Sequence, residues 1–229
     1  MKIAVVIPAL CEADRIQSAV QSARAPEVEV LVVDGGSRDA TRERARDAGA
    51  RVLESAPGRA RQLAAGVRAT DAEALVFLHA DTRLPEGWDA AVRGALADPE
   101  TAGGAFAFRF APAPAAGAVA RLLLRLVERG AATRVALLRL PYGDQALFVR
   151  RAALERAGGL RETPILEDLD LVAAIRRAGR LATLALPVAT SPRRYLEAGV
   201  LRTVGRNALA LAGYYARFDR ARIAAWVGR

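Results

Sequence analysis

The sequence predicts one α/β domain on a mixed, mostly parallel sheet flanked by helices, and three observations carry that expectation. Short β-rich apolar runs recur through residues 1–98, each followed by a helical stretch. Strands alternating with helices of this length imply βαβ crossovers, which lay successive strands parallel. No Gly/Ser/Pro-rich linker divides the chain, so one domain is expected over 1–229, with a ligand-binding half at 1–98 and a second half at 99–229.

The elements follow in order. Ile3-Ala4-Val5-Val6-Ile7 is a continuous apolar run stopped by Pro8, the pattern of a strand buried on both faces. Asp14 to Ala23 reads as a helix, and Val28 to Val33 as a second strand ended by Asp34-Gly35-Gly36-Ser37. Ser37 or Asp39 is placed to cap the helix that follows. Arg51-Val52-Leu53 is a third strand, Arg59 to Arg68 a helix, and Ala74 to Leu78 a fourth strand ended by His79-Ala80-Asp81. After Pro99 the pattern changes. Gly104 to Phe110 reads as a strand, and Pro112 and Pro114 break the chain before a helix from about Ala116 to Arg129. Ala146 to Val149 is a strand, Arg151 to Ala157 a short helix ended by Gly158-Gly159, Ile165 to Ala178 a helix and Leu181 to Leu186 a strand. Two amphipathic helices close the chain, around Val200–Tyr215 and Asp219–Val227.

Composition narrows the function classes. With 52% hydrophobic and 26% charged residues the chain can build a real core and does not read as disordered. One cysteine, Cys11, excludes an intramolecular disulfide framework and a multi-cysteine zinc site, and fits a reducing compartment. Met1-Lys2 leads into no signal peptide, and no run reaches the ~18–20 apolar residues of a membrane span. A cytoplasmic protein is expected. The net charge of +9 is concentrated after Thr190, where Arg193, Arg194, Arg202, Arg206, Arg217, Arg220, Arg222 and Arg229 face only Glu197 and Asp219. Such a segment either attracts anionic lipid or phosphate-bearing substrates or is a solvated basic face. Nucleic acid is not expected, because no interleaved aromatic platform accompanies the arginines.

Ligands of parallel α/β sheets bind beyond the carboxyl ends of the strands, and Glu12, Asp34 and Asp81 all fall there. Asp34 is either a ligand-facing carboxylate beside Gly35 and Gly36 or a turn residue. Asp81 is the metal candidate, since a hard divalent cation, Mg²⁺ or Mn²⁺, needs one or two carboxylates and takes its other ligands from phosphate and water. His79, the only histidine, is either a second ligand for a softer cation such as Mn²⁺ or a structurally bonded side chain. Glu167-Asp168-Leu169-Asp170 opens a helix, where acids complement the dipole and a catalytic base can also sit.

The order of these segments resembles family 2 glycosyltransferases, and a small bacterial branch of them closely. The resemblance is carried by Val6-Ile7-Pro8-Ala9-Leu10, by Val32-Val33-Asp34-Gly35-Gly36-Ser37-Arg38-Asp39-Ala40-Thr41 and by Phe77-Leu78-His79-Ala80-Asp81-Thr82. It continues through Gly143-Asp144-Gln145-Ala146-Leu147-Phe148, Glu167-Asp168-Leu169-Asp170-Leu171 and Ser191-Pro192-Arg193-Arg194-Tyr195, almost the whole chain. It implies the Rossmann-like GT-A fold and inverting transfer of a sugar from a nucleotide-sugar donor to a hydroxyl acceptor. Pro8, Ala9, Glu12 and Asp34 would then hold the donor nucleoside. Asp81 would be the metal-binding member of an Asp-x-Asp signature whose first acid is here His79. Asp168 would be the general base, and Arg59, Arg61 and Arg194 would reach the donor phosphates. The alternative for the Arg59–Gln62 segment is an ordinary exposed helix face. Asp144, Gln145 and Glu167 would stand on the acceptor side, with a sugar, a lipid-linked compound or a small molecule as acceptor.

Two rivals have other signatures. A nucleotidyltransferase or dinucleotide oxidoreductase normally carries a glycine-rich loop after the first strand, where this chain reads Pro8-Ala9-Leu10-Cys11-Glu12. A non-catalytic membrane-surface protein that kept the fold would have no use for Asp34, Asp81 and Asp168 together. In the last two helices Val200, Leu201, Val204, Leu209, Leu211, Tyr214, Tyr215 and Trp226 recur at roughly helical spacing. They either pack on the protein's own core or, with the arginines, rest on the anionic inner face of the cell membrane.

Overall fold

The computed structural model describes residues 1–228; Arg229, counted above in the basic C-terminal segment, lies outside them. β1 (Ile3–Ala9) is buried on both faces because its alternate residues enter two different layers. Ile3, Val5 and Ile7 pack with α1 (Ala13–Ala23) and α4 (Trp88–Ala97). Ala4 and Val6 meet α3 (Arg59–Arg68) and α7 (Glu167–Ala178). The α3 layer sits close, since a β-carbon built at Gly66 would overlap Val6 Cγ1. A glycine there costs the helix up to about 1 kcal/mol and permits the approach.

β1 lies between β2 (Val28–Asp34) and β4 (Ala74–Phe77), both parallel to it, and β3 (Arg51–Glu54) runs parallel beside β2. The other side is mixed. β7 (Leu147–Arg150) is antiparallel to β4 and to β6 (Thr101–Phe110), β8 (Arg180–Thr190) is parallel to β6, and the two-residue β5 (Thr82–Arg83) is antiparallel to β8. The order is β3-β2-β1-β4-β7-β6-β8-β5. Four of the seven pairings are parallel, so the sheet is mixed and mostly parallel as the alternating pattern predicts.

Several boundaries differ from the sequence expectation. α5 (Ala118–Leu138) runs on past Arg129, because Gly130 is exposed and clashes with nothing while Ala131 and Val135 anchor the next turns. α7 starts at Glu167 rather than Ile165, since Leu166 takes a left-handed φ of 64°. β8 continues beyond Leu186 through Pro187 by shifting register against β6 between Phe106 and Ala107. β5, α4 and α8 (Arg193–Ala198) appear where no element was expected. α2 (Thr41–Asp47), α6 (Arg151–Arg156), α9 (Val200–Tyr215) and α10 (Arg220–Trp226) complete the helices.

The stripe of the last two helices divides. Val200 is buried, Leu211 and Tyr214 pack against the core, and Ile223 is fully covered. Leu201, Val204, Leu209, Tyr215 and Trp226 stay exposed. Arg220 is not a free surface charge, because it pairs with Asp170 at 2.8 Å and lies over the Tyr214 ring. Among the described residues no helix is long and apolar enough to cross a membrane.

Candidate active site

The carboxyl ends of β1 and β2 are tied together by side chains. Gln62, buried on α3, donates from Nε2 to the carbonyls of Ala9 and Val33, both at 2.8 Å. Ser37 Oγ accepts from Cys11 N at 2.8 Å, Thr41 Oγ1 from Glu12 N at 2.8 Å, and an Asp39 oxygen from Ala13 N at 3.2 Å. Of the two caps expected for α2, Ser37 makes no such bond, while Asp39 Oδ1 accepts from Thr41 N, the first residue of the helix, at 3.1 Å. The same loop also satisfies the free N–H groups ahead of and at the start of α1. That loop holds the glycine-free Pro8–Glu12 turn, in which Cys11 has a φ of 54°.

Of the two roles open to it in the sequence, Asp34 takes the turn role. Its Oδ2 closes the turn by accepting from Gly36 N at 3.0 Å and Ser37 N at 2.9 Å, with Arg42 at 3.9 Å. Its Oδ1 is buried with no hydrogen-bond partner among the described residues, a costly state that a ligand donor would relieve. Glu12 is paired with Arg193 at 3.2 Å and Arg15 at 3.5 Å; burial pushes its carboxyl up, against the pull of Arg193, and the charge of Asp81 adds to the rise.

A cleft of about 290 Å³ lies between the end of β4, the start of α7 and the inner side of α9. Arg59, His79, Asp81, Asp144, Glu167, Asp168 and Arg194 line it. Sequence positions from 59 to 194 therefore meet in one place. Arg59 crosses the wall, pairing with Glu167 at 2.9 Å while an Nη touches His79 Nε2. A guanidinium only donates, so His79 Nε2 accepts there, and a cation bound at that nitrogen would have to displace Arg59. Asp81 stands between β4 and β5, near enough to Glu12 to be felt electrostatically. One accessible carboxylate with a second acid nearby suits a hard cation that draws its remaining ligands from phosphate and water. Asp168 is set by backbone, its Oδ2 accepting from Gly143 N at 2.8 Å and its Oδ1 from Leu169 N at 3.0 Å. A β-carbon at Gly143 would meet the end of the Arg59 side chain, which would have to shift to admit it.

Other expected site residues fall elsewhere. Arg61 is exposed and pairs with Glu162 at 3.5 Å, away from the cleft wall. Gln145 is a brace: its amide donates to Phe106 O at 2.9 Å, and its oxygen accepts from Tyr142 N and Arg134, both at 3.2 Å. Pro8, Ala9, Glu12 and Asp34 stand at the strand ends outside the cleft lining. Sequence reading missed Tyr142, Arg206 and Asn207, which line the cleft, and Arg134, whose guanidinium lies 3.4 Å from the centre of the Tyr142 ring. Arg134 and Arg206 carry no motif, and only their helix faces aim them inward.

Asp144 is the most stressed group of the cleft. Its Oδ1 is buried with no hydrogen-bond partner among the described residues. Burial pushes its carboxyl from 3.8 up to about 6, Arg134 opposes this, and the charge of Asp168 adds to it. The folded-state value is raised, so the stabilisation is complete below the unfolded value near 3.8 and is lost as pH rises through about 6. A displacement of that size is worth about 3 kcal/mol. Asp144→Asn should therefore be more stable than the parent above about pH 7, by roughly 1–3 kcal/mol, and should flatten the stability profile between those two values. Urea unfolding across pH reads this directly. A variant no more stable than the parent at the alkaline end would show that Asp144 is not held under strain.

The family model described as glycosyl transferase family 2 matches residues 4–153. A search of curated protein sequences finds no match. Among solved structures, glucosyl-3-phosphoglycerate synthase from Mycobacterium tuberculosis with Mg²⁺ and UDP superposes with a TM-score of 0.64 at 23% identity. That match covers 95% of this chain and 80% of the other, and shows the shared fold. The same enzyme with Mn²⁺, UDP-glucose and glycerol 3-phosphate matches at 25% identity and a TM-score of 0.61, covering 89% and 78%. Its complex with Mn²⁺, UDP and glucosyl-3-phosphoglycerate matches at 25% and 0.60, covering 89% and 78%.

Proposed function

The chain belongs to glycosyl transferase family 2, and from that premise we propose that it is a divalent-metal-dependent, inverting transferase that moves a sugar from a nucleotide-sugar donor to a hydroxyl acceptor. The observation that carries this reading is the meeting of Asp81, Asp168, Arg59 and Arg194 in one cleft beyond the strand ends. The similar structures solved with Mn²⁺ and UDP or UDP-glucose support a uridine nucleotide as the first donor to try.

The cleft volume sits at the lower edge of the ~300–1,000 Å³ of small-molecule sites, room for the reacting ends rather than a whole nucleotide sugar. The nucleoside then lies over Pro8, Ala9 and Asp34, where the Asp34 Oδ1 can accept from the base or ribose. Asp81, with Glu12 behind it, is the residue to hold Mn²⁺ or Mg²⁺, and a cation there supplies positive charge to the diphosphate oxygens. Arg59 and Arg194 add fixed positive charge for the leaving group. Asp168 takes the proton of the acceptor hydroxyl as that oxygen bonds to the anomeric carbon and the bond to the diphosphate oxygen breaks, its electron pair leaving with the nucleotide. Gly143 N and Leu169 N fix the carboxylate for this role. Tyr142 and Asp144 border the place for the acceptor, which is a sugar, a small hydroxyl compound or a lipid-linked one. A lipid-linked acceptor would bring a cytoplasmic enzyme to the inner face of the cell membrane.

Thermal unfolding with UDP, with and without Mn²⁺, tests the donor half of this reading: a clear rise in midpoint is expected only with both together.

A further inference from the structure

α5 is long, 21 residues, and only Leu124, Ala131 and Val135 along it are buried. Its outward side carries Val119, Leu122, Leu126 and Leu137, which at the helical repeat fall within an arc of roughly 60°. Val119 is 72% exposed and Leu137 76%, far from the state of side chains that merely edge a core. Arg125 and Arg129 are exposed along one margin of that arc, and Arg121 and, just past the helix end, Arg139 are exposed further round the same side. α9 touches α5 and repeats the pattern. Its outward residues are Leu201, Val204, Ala208, Ala212 and Tyr215, with Arg202 beside them. Glu128 is the one acid on the two helices; it is not exposed, and its carboxylate accepts from Phe110 N at 2.7 Å.

Monomeric proteins rarely leave so large an apolar face open, and its charge says what covers it. The face offers arginine and no acid. A second copy presenting the same surface would add more arginine and no counter-charge, whereas an anionic leaflet answers both the apolar arc and the cationic margin. We propose that the joint outer face of α5 and α9 is a docking surface for an anionic lipid bilayer, with α5 lying in the interface plane. This is a different surface from the Arg217–Arg222 segment, where Arg220 is spent on Asp170. The inner side of α9 lines the cleft through Thr203, Asn207 and Ala210, and α5 leads into Leu140 and Tyr142 at the acceptor end. Docking so sets the cleft one helix, about 10 Å, from the leaflet. The proposal builds on the lipid-linked acceptor suggested above. Vesicle binding is measured without any transfer, so its failure leaves the transfer chemistry standing.

The experiment is flotation of the full chain with vesicles of phosphatidylcholine alone or mixed with phosphatidylglycerol. Recovery is expected only with phosphatidylglycerol and should fall as salt rises. Replacing Arg121, Arg125 and Arg129 by Gln should weaken it on the order of a hundredfold. Replacing Leu122, Leu126 and Leu137 by Ser should weaken it at least as much. All six side chains are exposed, and unfolding midpoints show whether each variant is folded; if the Ser variant is not, the Gln variant decides alone. No recovery of the parent, equal recovery with both vesicles, or undiminished binding by folded variants overturns the proposal. A dimer in sedimentation that the Ser variant turns into a monomer also overturns it, giving the face to a second copy.

Discussion

Asp168→Asn is expected to lower turnover by roughly 10²–10⁴-fold while leaving affinity for the donor nucleotide near that of the parent. The asparagine keeps the shape of the side chain, and its one oxygen can still accept from either Gly143 N or Leu169 N, though not from both. The structural cost is then about one hydrogen bond, near 1 kcal/mol, which is small beside the catalytic loss. What disappears is the proton affinity. Initial rates with saturating donor and calorimetric nucleotide binding separate the two. If the variant turned over like the parent with a hydroxyl acceptor, the base would have to be sought elsewhere, and Asp144 in the same cleft would be the next candidate.

The second large effect concerns Asp81. A ligand at a hundred times its Kd adds about 2.7 kcal/mol to the folded state. For a domain of this size that is roughly 5–10 °C in unfolding midpoint. The parent should show such a rise with UDP and Mn²⁺ together and a much smaller one with UDP alone. Asp81→Ala should lose the part that depends on Mn²⁺ and keep the rest, because Asp34, Pro8 and Ala9 are untouched. An equal Mn²⁺-dependent rise in the variant would take the cation away from Asp81 and turn attention to Glu12 and His79.

The parts of the molecule that the sequence discloses are those in which local pattern and packing agree. The run Ile3–Ile7 reads as a doubly buried strand because both of its faces do enter core layers. Asp34 and Asp81 stand out as candidates in the sequence because they follow apolar runs, and both do lie at or just beyond strand ends at the rim of the sheet. Failures come where tertiary contacts outvote a local cue. Gln145 looks like a site residue beside Asp144, yet its amide is consumed by Phe106 O, 39 positions away. Arg61 shares a segment with Arg59, but two residues turn a helix by about 200°, so one faces the cleft and the other Glu162. The outer face of α5 is only partly legible in the sequence, because the helical expectation stops at Arg129 and leaves out Leu137. The basic C-terminal segment had the opposite fault. Its arginines count alike in a composition, and only the fold commits Arg220 and Arg193 to Asp170 and Glu12.

The measurement that bears most directly on the central claim is the anomeric configuration of the first product. Direct attack by a hydroxyl that Asp168 deprotonates must arrive opposite the departing diphosphate and invert the anomeric carbon. Incubation with α-linked nucleotide sugars, UDP-glucose first, and proton NMR during the earliest turnover would record the sugar transferred to an acceptor or released to water. The β anomer is expected. An α product, seen before mutarotation can intervene, would contradict a single displacement with Asp168 as its base.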